Sequence, residues 1–196
     1  MKIIAVTNNY NVTDSVTRTG WLYIPDSAMI RSRKPFFVPD FDNEFRAYLS
    51  PAIRIEKVGK RIAPRFAGRY FAELTAGVSV RAEGLAAELS ADGLPWGEAV
   101  VFDRSLLLGD FMPFDEFAAG GRSLTLTVDG ETLLEWHAER SGRPLDEIIS
   151  AASRDNTLKT GDILMPALTD TGVTLRHPSV LRVNCGDRQL LETRIR

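Results

Sequence analysis

Apolar and polar residues alternate with period two along most of this chain, and that pattern predicts strands rather than helices. In "SLTLTVDGETLLEWHA" two alternating segments flank Asp129-Gly130, a dipeptide that accepts positive φ at both centres of a type I′ turn, which predicts a β-hairpin. A second hairpin is predicted in "SVLRVNCGDRQLLETRIR". There Cys185, Gly186 and Asp187 provide the turn, and Val180, Arg182 and Asn184 face away from Leu181 and Val183. Further strands are expected near Ile3, Trp21, Phe36, Ile53 and Leu164. The stretch "FAELTAGVSVRAEGL" reads as a buried strand that passes through Gly77 and aims Ser79 and Arg81 to one side. Helical spacing is clearest in "RPLDEIISAASRDN", where Leu145, Ile148, Ile149 and Ala152 share a face and Pro144 suits the first turn. A weaker helix is expected through "APRFAGRYFAE", despite Gly68.

These elements give a strand-rich α+β fold. The chain has 196 residues, 44% hydrophobic and 26% charged, enough to bury the core of a single domain spanning residues 1–196. No repeat, low-complexity segment or linker interrupts it. A formal net charge of -2 and no long basic run argue against nucleic acid or an anionic membrane as partner. The one cysteine, Cys185, excludes an internal disulfide, and "MKIIAVTNNY" holds too short an apolar run for a signal peptide or membrane helix, so a reducing cytoplasm is the expected setting.

Isolated chemical candidates are few. Glu135, His137 and Glu139 alternate as zinc ligands can, but the same spacing describes a solvated strand face opposite Leu134, Trp136 and Ala138, which is the reading adopted. His177 precedes Pro178 and reads as a loop residue, and Cys185 has no histidine close in sequence to activate it. No nucleophile is nominated, and the set of catalytic residues is expected to be empty.

The order of longer segments carries more. "KPFFVPD", "IRIEKVGKRI", "LTAGVSVRAEGL", "WGEAVVFDRSLLLGD", "LTLTVDGETL", "LDEIISAASRDNTLKTGDIL" and the closing hairpin follow one another as in the fumarylacetoacetate hydrolase family, which the chain resembles over nearly its whole length. The strongest matches are Gly59-Lys60-Arg61, Val78-Ser79 with Arg81, Trp96 and Ala99 before Phe102-Asp103, and Leu108-Gly109. The resemblance implies a mixed β-sheet roll with a few short helices, a homodimer, and a fold that elsewhere uses Mg²⁺ or Mn²⁺ to cleave or rearrange acylpyruvate-like 2-oxo acids. A hard cation held by carboxylates grips both oxygens of such a substrate and stabilises the enolate formed as a carbon–carbon bond breaks.

The family pattern places two glutamates one residue apart on the strand before the Gly-Lys step, an aspartate before Val-Ser and a lysine two residues before Phe-Asp. Carried onto this chain, those positions fall on Pro51, Ile53, Gly77 and Val100, none of which offers a ligand oxygen or an ammonium. Arg81 aligns with the family's substrate-contacting arginine, and "PALTDTGV" occupies the place of a substrate loop. The candidate ligand-binding residues are therefore Arg81, Asp103, Thr169 and Thr171, with an ion pair from Arg81 to Glu73, Glu83 or Asp103 as the competing structural role. The expected protein is a noncatalytic family member without a cofactor, binding a small carboxylic acid or dimerising with a partner. The alternative is a Mg²⁺- or Mn²⁺-dependent hydrolase or isomerase with relocated ligands.

Overall fold

The computed structural model describes residues 1–12 and 18–196. Strands β1 (Lys2–Thr7), β2 (Gly20–Pro25), β3 (Met29–Arg31), β4 (Phe45–Arg54), β5 (Glu73–Ala82), β6 (Leu106–Leu108), β7 (Met112–Pro113), β8 (Ser123–Val128), β9 (Glu131–His137), β10 (Ile163–Met165), β11 (Val173–Thr174), β12 (Ser179–Cys185) and β13 (Arg188–Ile195) form two sheets. The larger is mixed, in the order β2-β1-β10-β4-β5-β6-β3, with β11 beside β4 and β7 beside β5. The smaller runs β13-β12-β8-β9 and is antiparallel throughout. Strand-rich and mixed, this is the expected roll with few helices.

Both predicted hairpins form. Asp129 and Gly130 take φ of 52° and 89° between β8 and β9, as the type I′ turn requires. Leu181, Val183 and Cys185 are buried on β12 while Val180, Arg182 and Asn184 are not. Helix α3 (Leu145–Asp155) buries Ile148, Ile149 and Ala152, with Pro144 at the N-cap position rather than inside the first turn. The helix expected through residues 63–73 is only a 3₁₀ segment, Pro64–Arg69, because Pro64 and Gly68 support a tight turn better than a sustained α-helix. Phe36 contributes only a bridge to Ile195 and not a full strand, yet its ring is completely buried. Two short helices were not anticipated, α1 (Glu83–Ala91) and α2 (Phe114–Ala119). Helix α1 buries no residue, so its sequence carries no apolar stripe by which to find it.

The central strands β4 and β5 are buried along most of both faces. One face carries Leu49, Ile53, Leu74, Ala76 and Val78 and packs with Leu124, Leu126, Leu181 and Val183 of the smaller sheet. The opposite face carries Tyr48 and Ala52 and packs with Ile3, Ala5, Leu108 and Met165. Helix α1 follows β5 directly. Its start is held by Asp42, whose carboxylate accepts hydrogen bonds from the N–H of Leu85 (2.8 Å) and of Glu44 (3.0 Å). A Cβ on Gly84 would lie 2.7 Å from Asp42 Oδ1, so glycine permits this close approach. Glu83 is thereby fixed at the end of β5, two residues after Arg81. Among the described residues no helix is long and apolar enough to cross a membrane.

Candidate functional site

Pairing between β4 and β5 decides which side chains can meet. Ser50 stands opposite Gly77, Tyr48 opposite Ser79, Pro51 opposite Ala76 and Ile53 opposite Leu74, without a register shift. Side chains alternate along a strand and directly opposed residues share a face. Gly77, Ser79 and Arg81 therefore lie with Tyr48, Ser50 and Ala52. Pro51 and Ile53 point to the other side, into the core shared with the smaller sheet. The four positions drawn from the family pattern consequently do not cluster. Gly77 belongs to the site face and Val100 lines its cavity, but assigning Pro51 and Ile53 to it was out of register by an odd number of residues, which inverts the face. The positions on β4 that do share the face of Gly77 hold Tyr48, Ser50 and Ala52, with Arg46 and Arg54 at the two ends of the strand.

Packing closes the floor around Gly77. A Cβ at that position would lie 2.7 Å from Cε and 3.1 Å from Sδ of Met165, and 3.3 Å from the Cβ of Ala52. The buried Ser50 hydroxyl is already engaged, donating to the carbonyl of Pro51 (2.8 Å) and accepting from the N–H of Ala167 (3.3 Å). Hard divalent cations take six or more oxygen ligands, carboxylates foremost. A thioether, a methyl group and a committed serine do not fit that need, and among the described residues no group of three His, Cys, Asp or Glu side chains is placed to hold a metal.

Farther along the same face lies a cavity of about 220 Å³ whose wall includes Tyr48, Ser79, Arg81, Trp96, Val100 and Thr169. Asn8 and Asn11, from the segment after β1, complete one side. Two charged residues line the wall: Asp170, whose carboxylate accepts from Nδ2 of Asn11 (3.2 Å and 3.3 Å), and Arg81, which is engaged by its neighbour two positions on: its Nε donates to Oε1 of Glu83 (2.8 Å) and its Nη2 to Oε2 (2.9 Å). The Tyr48 hydroxyl donates to Glu83 Oε1 (2.6 Å) and accepts a short hydrogen bond from Arg81 Nη2. The Arg81 guanidinium also lies over the Tyr48 ring, 4.4 Å from its centre. Burial, reinforced by the bond to Glu83, pushes the Tyr48 phenol well above its ordinary value, while the Arg81 charge opposes that rise. Tyr48, Arg81 and Glu83 form a closed and formally neutral unit.

The sequence candidates divide. Arg81 lines the cavity and is paired with Glu83, the middle one of the three partners considered. Thr169 also lines it, but its hydroxyl accepts the N–H of Leu49 (3.1 Å) and so ties the 166–173 loop to β4. Thr171 is exposed and outside this cavity, and Asp103 is exposed on the turn after Val101. Glu135, His137 and Glu139 stay near the surface, with the imidazole 3.3 Å and 3.8 Å from the two carboxylates. His177 lies in a loop, and Cys185 is buried, its thiol pushed up by desolvation. Tyr48, Asn8 and Asn11 were missed. Alternation opposite Ser79 could have found Tyr48, whereas nothing local marks Asn8 or Asn11.

The family model described as fumarylacetoacetate (FAA) hydrolase C-terminal matches residues 8–195. The chain belongs to the fumarylacetoacetate hydrolase family. Solved structures agree in fold. A protein from Yersinia pestis CO92 assigned to the fumarylacetoacetate hydrolase family superposes with a TM-score of 0.90 at 23% identity, covering 100% of this chain and 93% of that one. A fumarylpyruvate hydrolase from Pseudomonas aeruginosa, solved with Mn²⁺ and pyruvate, gives 0.89 at 18% identity over 100% and 89% of the two chains. A 5-carboxymethyl-2-hydroxymuconate delta-isomerase from Mycobacterium smegmatis gives 0.85 at 19% identity over 99% and 76%. No curated protein matches the chain. At such identities the likeness to these structures speaks for fold, and function has to be argued from the site.

Proposed function

We propose that this protein is a noncatalytic member of the fumarylacetoacetate hydrolase family that binds a small carboxylic acid beside Arg81 and works as a homodimer. The observation that carries the reading is Met165 lying against Gly77, on a face whose β4 positions are Tyr48, Ser50 and Ala52. A pocket that had lost one metal ligand would retain buried like-charged carboxylates, costly without a cation. Here the positions around Gly77 are uncharged and packed. Arg81 supports the ligand class: among the described residues its Nη1 has no hydrogen-bond partner, which leaves part of the guanidinium fork for a carboxylate. Glu83 competes for that fork, so binding is weak and selective for acids small enough to share it. The homodimer follows the family resemblance, and association would also cover exposed apolar side chains such as Tyr23 on the edge strand β2. The single cysteine favours a reducing cytoplasmic setting.

Calorimetry tests this directly, with pyruvate, Mg²⁺ and Mn²⁺ as separate titrants. Pyruvate is expected to bind saturably and to lose affinity in Arg81→Gln, while neither cation gives heat or a thermal shift. Light scattering is expected to return a dimer mass. Saturable turnover of an acylpyruvate that needs Mg²⁺ or Mn²⁺ and stops with a chelator would overturn the noncatalytic reading in favour of a hydrolase with relocated ligands.

A further inference from the structure

The opposite face of β4 and β5 borders a second cavity, of about 150 Å³, walled by Ile53, Leu74, Phe114, Phe117, Trp136 and Leu145. Its position follows from the register that turns Pro51 and Ile53 away from Gly77: both line this space. The volume matches the roughly 150 Å³ at which an apolar protein cavity stays dry and admits a benzene ring. The aromatic wall is arranged to take another ring. Phe114 meets Phe71 edge to face, with centres 4.9 Å apart at 85°, and Phe117 lies 6.1 Å from Phe114 and 6.5 Å from Trp136 at oblique angles.

The charged lining of this cavity is of one sign, Arg122 and Arg143. Among the described residues Arg122 makes no salt bridge, and Arg143 has only Glu147, at 3.3 Å, with both side chains nearly half exposed. Such an exposed pair holds its partner weakly and exchanges readily. The contrast with Arg81, bound through two nitrogens to Glu83, is plain. A ring-sized apolar hole beside two weakly committed guanidinium groups is complementary to a single amphipathic anion.

We propose that this second cavity binds a small aromatic monocarboxylate, of benzoate or phenylacetate size. The ring lies among Phe114, Phe117 and Trp136, and the carboxylate is held by Arg122 and Arg143. This site is independent of the cavity at Arg81, and its success or failure leaves that reading untouched.

Trp136 provides the readout. In a Trp21→Phe/Trp96→Phe background the remaining indole fluorescence reports on this cavity alone, since Trp96 lines the other one. Titration with phenylacetate is expected to give a saturable change, and benzyl alcohol, a neutral probe of similar size, to bind at least tenfold more weakly, because it cannot accept charge-assisted hydrogen bonds through a carboxylate from the two guanidinium groups. In Arg122→Gln/Arg143→Gln that preference disappears, while weak benzyl alcohol binding persists and shows that the cavity is intact. Should the double variant fail to fold, the comparison of the two probes on the parent background decides alone. No saturable response to phenylacetate, equal affinity for both probes, or a preference that survives loss of both arginines would each overturn the proposal.

Discussion

Met165 lies so close to Gly77 that its Cε would be 2.7 Å from a Cβ at position 77. The methionine fills the space that an aspartate side chain would need, so the two residues are coupled: the glycine is required by the methionine, and the methionine is accommodated by the glycine.

That coupling is measurable. Gly77→Ala is expected to cost about 1–3 kcal/mol by overpacking a fully buried strand. Met165→Ala is expected to cost about 2–5 kcal/mol through lost burial and a residual cavity. In the double variant the new methyl group enters vacated space, so the combined loss falls short of the sum by about 1 kcal/mol or more. Urea denaturation of all four proteins checks this; strict additivity would show that the contact is not a packing constraint.

Tyr48 makes alkaline stability a second probe. Burial raises its phenol above the ordinary value of 10.0, so below pH 10 both folded and unfolded chains keep the proton and stability is intact. As pH rises past that value the unfolded chain releases its proton first, and stability falls until the folded Tyr48 also ionises. Tyr48→Phe is expected to cost about 1 kcal/mol at neutral pH, since Glu83 loses one donor, and to flatten the decline above pH 10. Thermal melts between pH 8 and 11 give both slopes; parallel slopes would show that Tyr48 does not titrate differently in the two states.

How much of this was legible in the sequence depends on the range of the interaction. The hairpins at Asp129-Gly130 and Gly186-Asp187, and helix α3, are set by residues close in sequence and were read correctly. The order of motifs led to the family because it samples the whole chain. Register between β4 and β5 is different in kind. It is fixed by long-range pairing across the loop and 3₁₀ turn that separate Arg54 from Glu73. Within β4 the alternation of Phe45, Ala47, Leu49, Pro51 and Ile53 with Arg46, Tyr48, Ser50, Ala52 and Arg54 does mark Pro51 and Ile53 for the apolar core face. Placing Pro51 and Ile53 beside Gly77 rests on spacing from the Gly59 motif and passes over that alternation. Asn8 and Asn11 join the cavity only because β1 pairs with β10, more than a hundred residues away in the chain, and nothing in their neighbourhood announces it.

Acid should destabilise the protein through Asp162, which is almost fully buried at the foot of β10. Burial alone would raise its carboxyl, but hydrogen bonds from the Lys2 side chain, from the N–H of Lys2 (3.0 Å) and from the N–H of Lys159 (2.8 Å) outweigh it and hold the group below its ordinary 3.8. The resulting stability is fully present above pH 3.8 and is lost as pH falls through that value, because the unfolded chain takes up its proton first. Asp162→Asn is expected to lose about 2–3 kcal/mol at pH 7 and to show a shallower decline between pH 5 and 3. An unchanged acid limb in that variant would remove Asp162 from the account.

The register of β4 can be tested by rebuilding a metal site on either face. Pro51→Glu/Ile53→Glu/Gly77→Asp/Val100→Lys follows the family spacing as read from sequence, but it places two carboxylates in the core against Leu74 and Ala76 and one on the far side of the sheet. Ile53 is 1% exposed, so Ile53→Glu alone is expected to cost about 3 kcal/mol or more, with the new carboxyl pushed upward by desolvation. The fourfold variant should therefore fold poorly and show no Mn²⁺-dependent rise in Tm. Tyr48→Glu/Ser50→Glu/Gly77→Asp/Met165→Ala instead puts three carboxylates on one face, with positions 50 and 77 directly opposed and position 48 two residues along, and removes the side chain that fills the space between them. That arrangement approaches what a hard cation requires, and binding to the native state alone raises Tm with the logarithm of the free metal concentration once it exceeds Kd. A Mn²⁺-dependent rise is expected in the second variant only; a rise in the first, or in neither while both remain folded, would show that the face of Gly77 is not the one on which a metal site can be built.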